Sequence, residues 1–158
     1  MHQAEEIKTG CKVAIKLDLR SSTELEREIE YLKLLNGQSQ RIPNILEYGK
    51  YSGVNYCVLT LLGKNISELR RRRLTKKFSL STTIRVGRQM FQSLKDVHDK
   101  KLIHRDVKPA NFAIGRTNKK KIYVFDFGLS SELHDGTERE NVGFRGTNTY
   151  SSYFRESN

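Results

Sequence analysis

The sequence predicts an α+β fold in which strands dominate the first part of the chain and helices much of the remainder. The strand patterns are runs rich in β-branched and aromatic residues, at 12–17, 45–51 and 55–61. The longer helical patterns repeat apolar residues at three- and four-residue spacing, at 23–36 and 81–99. A chain of 158 residues is long enough for one domain with a hydrophobic core, but not for two.

The composition favours anionic partners and gives no support for a metal or disulfide scaffold. Lys and Arg number 29 against 18 Asp and Glu, a net charge of +11, which suits acidic proteins, nucleic acid or nucleotide phosphates. Cys11 and Cys57 lie in apolar strand patterns and are predicted to be core residues in a reducing compartment. No CxxC pair predicts zinc, and no apolar run is long enough to span a membrane. The polar start, Met1 to Glu6, is unlike a signal peptide, so we expect an intracellular protein of the cytoplasm, with the nucleus as a second compartment.

One helix is predicted from Ser21-Ser22-Thr23 to Asn36-Gly37, because Thr23 and Glu26 have capping-box spacing and Asn-Gly favours a helix end. Its apolar stripe consists of Leu25, Leu32 and Leu35. Glu28 lies on the same stripe, and a buried carboxylate is costly unless a cation pairs with it. Lys16 in the first strand is the candidate cation. Taken alone, Lys16 would be interpreted as a solvated strand lysine.

Two further strands and a short helix follow. Ser52-Gly53 joins the two strands as a hairpin, and the second strand ends at Leu61-Leu62-Gly63, which indicates a hinge. Asn65 is predicted to cap the short helix, with Glu68 at the third helical position.

The longer helix is predicted to bury one face, formed by Ile84, Met90, Phe91, Leu94 and Val97. Gly87 within it indicates close packing against another element, and His98 at the end of this face is interpreted as a structural histidine. Phe112-Ala113-Ile114 and 121–125 then form a hairpin. From Leu129 onward the chain is predicted to be a long loop.

The stretch from Ile103 to Phe112 brings an acid, a base and an amide together: Asp106, Lys108 and Asn111. An apolar strand then leads into Asp126. A carboxylate such as Asp106 can orient a hydroxyl and accept its proton, and an ammonium such as Lys108 can stand beside a phosphate as a point charge. The oxygens of Asn111 and Asp126 are hard ligands suited to Mg2+. A lone Asp in a loop is more often a turn or cap residue, so the prediction depends on the complete set of residues at this spacing.

Two basic runs have a functional and a structural interpretation. Arg70 to Arg73, with Lys76 and Lys77, form one run, and Lys119 to Lys121 form another. Most such runs are solvated faces. The functional alternative is a docking surface for an acidic or phosphorylated substrate. Nucleic acid is the least favoured partner, because the runs lack interleaved aromatic residues for base stacking.

These motifs resemble the eukaryotic protein kinases and, within them, the tau-tubulin kinase branch of the casein kinase I group. The resemblance rests on four segments in order: LLGKNISELRRRR, IHRDVKPANFAIG, DFGLSSEL and VGFRGTNTYSS. It implies that 1–158 is a partial kinase domain. A small β-rich N-lobe with one helix would cover about 1–62, and the first part of a mainly helical C-lobe about 63–158.

The resemblance implies a serine/threonine protein kinase that uses ATP and Mg2+, because Lys108-Pro109 and Gly146-Thr147 are similar to the serine/threonine-specific form. It implies Asp106 as catalytic base, Lys108 as its partner on the phosphate side, and Asn111 and Asp126 as magnesium ligands. The implied partners are ATP and a protein substrate, without membrane or nucleic acid, and the protein would be a monomer if the domain is complete.

The resemblance also implies a nucleotide-binding set on the strands. Lys16, paired with Glu28, would hold the α- and β-phosphates. Ala14 and Leu61 would line the adenine pocket, with Leu59 as gatekeeper at its back wall. Thr147 would brace the catalytic loop from the activation segment.

The chain departs from the family pattern in ways that leave two hypotheses open. Nothing before Lys12 resembles a glycine-rich loop, Thr149 stands where a basic residue is usual, and the chain ends within the activation segment. The first hypothesis is an ATP- and Mg2+-dependent serine/threonine kinase. The second is a catalytically impaired or inactive kinase-like binding protein.

Overall fold

A four-stranded antiparallel sheet forms the first part of the molecule. The computed structural model describes residues 2–19, 23–133 and 146–150. The strands are β1 (His2–Glu5), β2 (Lys12–Asp18), β3 (Ile45–Tyr51) and β4 (Val54–Thr60), in the order β1-β2-β4-β3. The register pairs Lys16 with Cys57 and Ala14 with Leu59, so central residues of β2 lie beside the buried positions of β4.

Helix α1 (Glu24–Leu35) lies between β2 and β3 in the chain and packs on this sheet. The predicted stripe is confirmed: the helix buries Leu25, Glu28, Ile29, Leu32 and Leu35. The predicted end is also confirmed, since the helix stops before Asn36 and Gly37 has a φ of 71°. The predicted capping box is wrong, because Thr23 occupies the cap position without a side-chain hydrogen bond. Ser21 and Ser22 lie outside the described residues.

In its described residues, the second part contains two α-helices and two short two-stranded sheets. Its elements are α2 (Ile66–Arg71), α3 (Leu80–His98), β5 (Leu102–Ile103), β6 (Phe112–Ile114), β7 (Ile122–Val124) and β8 (Ser131–Glu132). Strand β5 pairs with β8, and β6 pairs with β7 as the predicted hairpin. The cap of α2 is confirmed, since the Asn65 side chain accepts a hydrogen bond of 2.8 Å from the Glu68 amide. The predicted α+β class is therefore confirmed.

Among the described residues, two sets of backbone hydrogen bonds join the two parts. Near the end of β4, the Gly63 amide donates to the Ile114 carbonyl (2.8 Å), and the Ile114 amide donates to the Lys64 carbonyl (3.1 Å). A Cβ on Gly63 would lie 3.0 Å from the Ile114 side chain, so a glycine suits this close approach. At a second place, the Val124 amide of β7 donates to the Arg41 carbonyl (2.9 Å) in the segment between α1 and β3.

The buried face of α3 differs from the prediction. Val97 is completely buried, and Met90 and Leu94 are partly buried against the core, but Ile84 and Phe91 are 61% and 72% exposed. At about 100° per residue, Phe91 lies about 120° around the helix from Val97, so the two side chains lie on different faces of the helix.

Three smaller predictions are also wrong. A Cβ on Gly87 would meet no atom within 4 Å, so this glycine marks no close packing. His98 is exposed at the end of α3, not part of a buried face. Cys11 is exposed beside the turn before β2, whereas Cys57 is fully buried, and burial, with the charge of Glu28 as a lesser cause, raises the pKa of the Cys57 thiol to about 12.

The chain after Leu129 is not wholly irregular, because β8 and a 3-10 turn at Asn148–Tyr150 lie within it. In the described ranges, no helix has both the length and the apolar character that a membrane crossing requires.

Candidate active site

The loop between β5 and β6 is organised around His104, which is 1% exposed. The Asp106 amide donates to His104 Nδ1 (3.3 Å), so the proton of the neutral ring lies on Nε2, which donates to the Phe125 carbonyl (3.1 Å). Burial lowers the pKa of His104, outweighing the opposing effects of the Phe125 carbonyl and of nearby carboxylates. A neutral imidazole therefore joins this loop to the end of β7.

Asp106 is the centre of a cluster of four polar side chains. Its carboxylate accepts hydrogen bonds from Asn111 Nδ2 (2.8 Å) and Thr147 Oγ1 (2.7 Å), and it pairs with Lys108 Nζ (2.6 Å). Lys108 Nζ also donates to Thr147 Oγ1 (2.8 Å). Burial acts to raise the pKa of Asp106, but the hydrogen bonds from Lys108, Thr147 and Asn111 together lower it. Asp106 is consequently held as a carboxylate.

Asn111 ends the 3-10 turn at Pro109–Asn111 and is buried. Its Nδ2 donates to the carbonyl oxygen of Asp106 (2.9 Å) as well as to its carboxylate. Its own carbonyl accepts a hydrogen bond from the Phe125 amide (3.1 Å). This bond brings the end of β7, and with it Asp126, next to the loop.

A second cluster contains Lys16, Glu28 and Asp126. Lys16 Nζ forms an ion pair with Glu28 Oε2 and another with Asp126 Oδ1 at 2.9 Å. Burial acts to lower the pKa of Lys16, but the charges of Glu28 and Asp126 outweigh it and raise that pKa. Burial raises the pKa of Glu28 more than Lys16 lowers it. The predicted pairing of Lys16 with Glu28 is present, and Asp126 joins it.

Glu28 also links α1 to the Asp126-Phe127-Gly128 segment. The Phe127 amide donates to Glu28 Oε1 (3.3 Å). The Phe127 ring is fully buried, and its centroid lies 5.2 Å from that of His104. One buried phenylalanine therefore fixes the segment against both the helix and the loop.

Two cavities are formed around these clusters. The first, of about 490 Å³, is lined by Lys16, Glu28, Asp106, Asp126 and Gly128 among others. The second, of about 160 Å³, is lined by Ala14, Leu59 and Leu61, with Phe125 at one side. The predicted polar residues therefore either line the first cavity or contact Asp106, which lines it. The predicted apolar residues line the second cavity.

A match to a known protein family agrees with this geometry. A family model described as "Protein kinase domain" matches residues 1–153. The chain belongs to the protein kinase family. The predicted kinase resemblance and kinase-like fold are confirmed at this level, with a β-rich N-lobe and the beginning of a C-lobe.

Two relatives indicate which kinases this domain is similar to. It is 43% identical over 153 residues to a Dictyostelium discoideum protein named "probable serine/threonine-protein kinase", covering 89% of this chain and 30% of that protein. It is 36% identical over 139 residues to "casein kinase I homolog 1" of Schizosaccharomyces pombe, covering 85% of this chain and 31% of that protein. The kinase chain therefore spans under a third of the length of either relative.

The residues of this kinase domain fit ATP with a divalent cation. Because Asn111 uses Nδ2 on Asp106, its amide oxygen is the atom left for a cation, and the Asp126 carboxylate lies in the same site. Within the described ranges, no group of three His, Cys, Asp or Glu side chains could hold a metal. A cation here needs further oxygen ligands, and Mg2+ commonly takes these from nucleotide phosphates.

Sequence reasoning missed the roles of His104 and Phe125. His104 is part of the motif without an assigned function there, although its position at the start of the loop is a signal for a structural role. Phe125 is the last apolar residue before Asp126, so its place beside the second cavity could have been inferred from the end of the strand. Gly143, Phe144 and Arg145 of the fourth motif lie outside the described residues.

Proposed function

We propose that this chain carries the nucleotide site of a serine/threonine protein kinase, which transfers the γ-phosphate of ATP to protein hydroxyls. We also propose that it belongs to the tau-tubulin kinase-like branch of the casein kinase I group. The observation that carries the first proposal is the Asp106 carboxylate. It is held ionised by three hydrogen-bonding partners and faces the same cavity as Lys16 and Asp126.

In this proposal Asp106 orients the substrate hydroxyl and accepts its proton as the hydroxyl oxygen bonds to phosphorus and the bond to ADP breaks. Lys108 stabilises charge on the transferred group, and Thr147 positions both residues. Phosphoryl transfer asks for positioning and charge neutralisation, which this set of side chains supplies.

The nucleotide is held by residues of both parts. Lys16 contacts its phosphates, with Glu28 fixing the ammonium, and Asn111 and Asp126 hold Mg2+, which neutralises phosphate charge when bound. Ala14, Leu59 and Leu61 line the apolar cavity and would enclose the adenine there.

The substrate class is proposed from charge. Arg70 to Arg73, Lys76 and Lys77 are all exposed on and after α2, which suits an acidic or phosphorylated protein substrate. Arg72 also pairs with Glu68 (2.9 Å), so part of this run has a structural role. We further propose an intracellular location, because ATP and protein substrates meet there.

Transfer of labelled phosphate from ATP to peptides with serine or threonine among acidic residues tests the proposal. Asp106→Asn should reduce the rate at least about 100-fold, since a general base contributes roughly that much. Asp99→Asn is the matched control, because Asp99 is exposed and its carboxylate pairs only with Lys95 among the described residues. Full activity in Asp106→Asn would show that the base is wrongly assigned. Nucleotide binding without transfer in the unsubstituted protein would favour the kinase-like binding protein.

A further inference from the structure

A third cavity, of about 730 Å³, lies away from the candidate active site. It is bounded by α2, α3 and the β6–β7 hairpin, and none of its lining residues lines the cavities described above. Its floor is apolar and includes Leu69, Phe78, Val86 and Ile114, each of which is only partly buried. An apolar surface of this shape favours a ligand with apolar side chains.

We call this cavity the basic groove. The charged residues on its rim are all positive. Its charged lining residues are Arg41, Arg85, Arg88, Lys119 and Lys120, and no Asp or Glu lines it. Within the described part of the chain, the side chains of the last four have no ion pair or hydrogen bond. Arg41 Nη1 lies 3.7 Å from Asp96 Oδ2, while its Nε is buried without a partner. In the part of the chain that the structure describes, four of the five cations of the groove therefore lie without a carboxylate partner beside an apolar floor.

The groove is held in shape by Gln89 of α3. Gln89 Nε2 donates to the Lys120 carbonyl (3.1 Å), and the Ile122 amide donates to Gln89 Oε1 (3.1 Å). These two bonds fix the hairpin turn, and with it Lys119 and Lys120, against the helix. A preformed groove loses little conformational entropy when a ligand binds.

We propose that the basic groove binds an acidic segment of a partner protein, with apolar side chains on the floor and carboxylates on the rim. Both features are needed, because charge alone would fit any polyanion. Single-stranded RNA is the weaker match, since Phe78 is the one aromatic residue among those lining the groove and bases need stacking surfaces. Binding requires no nucleotide, so a failure of phosphate transfer would not refute this proposal.

The test measures fluorescence anisotropy of a labelled peptide that alternates glutamate and leucine, titrated with the chain in the absence of nucleotide. The peptide should bind, and Lys119→Glu with Lys120→Glu should weaken it roughly tenfold or more. Lys8→Glu with Lys50→Glu makes the same change in net charge at exposed positions outside the groove, and should leave binding within about twofold. Circular dichroism checks that both variants fold.

Two further ligands test whether the apolar floor contributes to binding and whether the groove prefers a nucleic acid. A peptide with serine in place of leucine should bind roughly tenfold more weakly if the apolar floor takes part. Equal weakening by the two double variants, equal affinity of the serine peptide, or no binding of the leucine peptide would each overturn the proposal. Preferential binding of an RNA oligonucleotide that depends on Lys119 and Lys120 would also overturn it, in favour of a nucleic-acid site.

Discussion

At the scale of single residues, His104 shows how burial selects a protonation state. The ring accepts from the Asp106 amide and donates to the Phe125 carbonyl, which requires the neutral tautomer. The Phe125 carbonyl, Asp126 and Asp106 act to raise the pKa of His104 but do not reverse the effect of burial, and Lys108 acts in the same direction as burial. A proton on this ring would break the hydrogen bond to the Asp106 amide and loosen the loop.

We predict that the free energy of unfolding decreases as the pH falls below the ordinary histidine pKa of about 6.5, by at most about 1.4 kcal/mol per pH unit from this residue. The folded-state pKa is lowered, so in this range the unfolded chain takes up a proton that the folded chain does not. Urea unfolding across pH 5–8 measures the slope. His104→Gln should reduce it, whereas His98→Gln, at an exposed position, should not. An unchanged slope in His104→Gln would contradict the prediction.

A second prediction at this scale concerns the buried carboxylate of Glu28. Lys16→Met leaves its carboxylate buried without a cation, which should cost about 3 kcal/mol of unfolding free energy at neutral pH. Because the pKa of Glu28 is raised already, this loss should shrink as the pH falls and the carboxyl becomes protonated. Adding Glu28→Gln to Lys16→Met should restore part of the stability. Equal losses in the single and double variants would show that the cost has another origin.

At the scale of elements, the N-terminal caps of α1 and α2 allow a direct comparison. Asn65 bonds the Glu68 amide with its side chain, while Thr23 at the equivalent position of α1 forms no such bond. Asn65→Ala should therefore destabilise the domain by about 1 kcal/mol, and Thr23→Ala by less than about 0.5 kcal/mol. Chemical denaturation resolves this difference. A larger effect at Thr23 would mean that sequence spacing predicts the cap better than the geometry does.

Helix α3 carries apolar residues on more than one face. Ile84→Gln and Phe91→Gln should change the unfolding free energy by less than about 0.5 kcal/mol, because both side chains are exposed. Val97→Ala should cost about 2 kcal/mol, because that side chain is fully buried. We also expect Ile84→Gln with Phe91→Gln to reduce self-association in sedimentation experiments. A large loss of stability in that variant would show that this face packs against part of the protein.

At the scale of the whole molecule, nucleotide binding should stabilise the folded state. Saturating Mg-ATP, at roughly 100 times its Kd, should raise the melting temperature by about 5–10 °C. Asp126→Ala should remove most of this shift, since it deletes one proposed cation ligand, while Asp99→Ala should retain it. The absence of any shift in the unsubstituted chain would count against a working nucleotide site.

The predictability of this fold depends on how far apart the contacting residues are in sequence. Asp106, Lys108 and Asn111 lie within six residues of one loop, so their spacing was enough to place them together. The pairing of Lys16 with Glu28 followed from the burial of a charged residue on an apolar stripe. The contact of Lys16 with Asp126 spans 110 positions and depends on how the two parts pack, which no local pattern records.

The errors have a similar origin. An apolar pattern such as that of α3 shows which faces could be buried, but neighbouring elements decide which face is covered. Strand β1 was missed because its residues are polar and mostly exposed, and it is a strand only through pairing with β2. Its four backbone partners, not its side chains, determine its conformation.

The two separate backbone links between the sheet and the second part have a mechanical consequence. One link joins Gly63 and Lys64 to Ile114, and the other joins Arg41 to Val124. Lys16 with Asp126, and Glu28 with the Phe127 amide, add side-chain contacts between the same two parts. We therefore expect any displacement of the sheet that widens the cavity lined by Lys16 and Asp126 to break their ion pair first, while the backbone links remain.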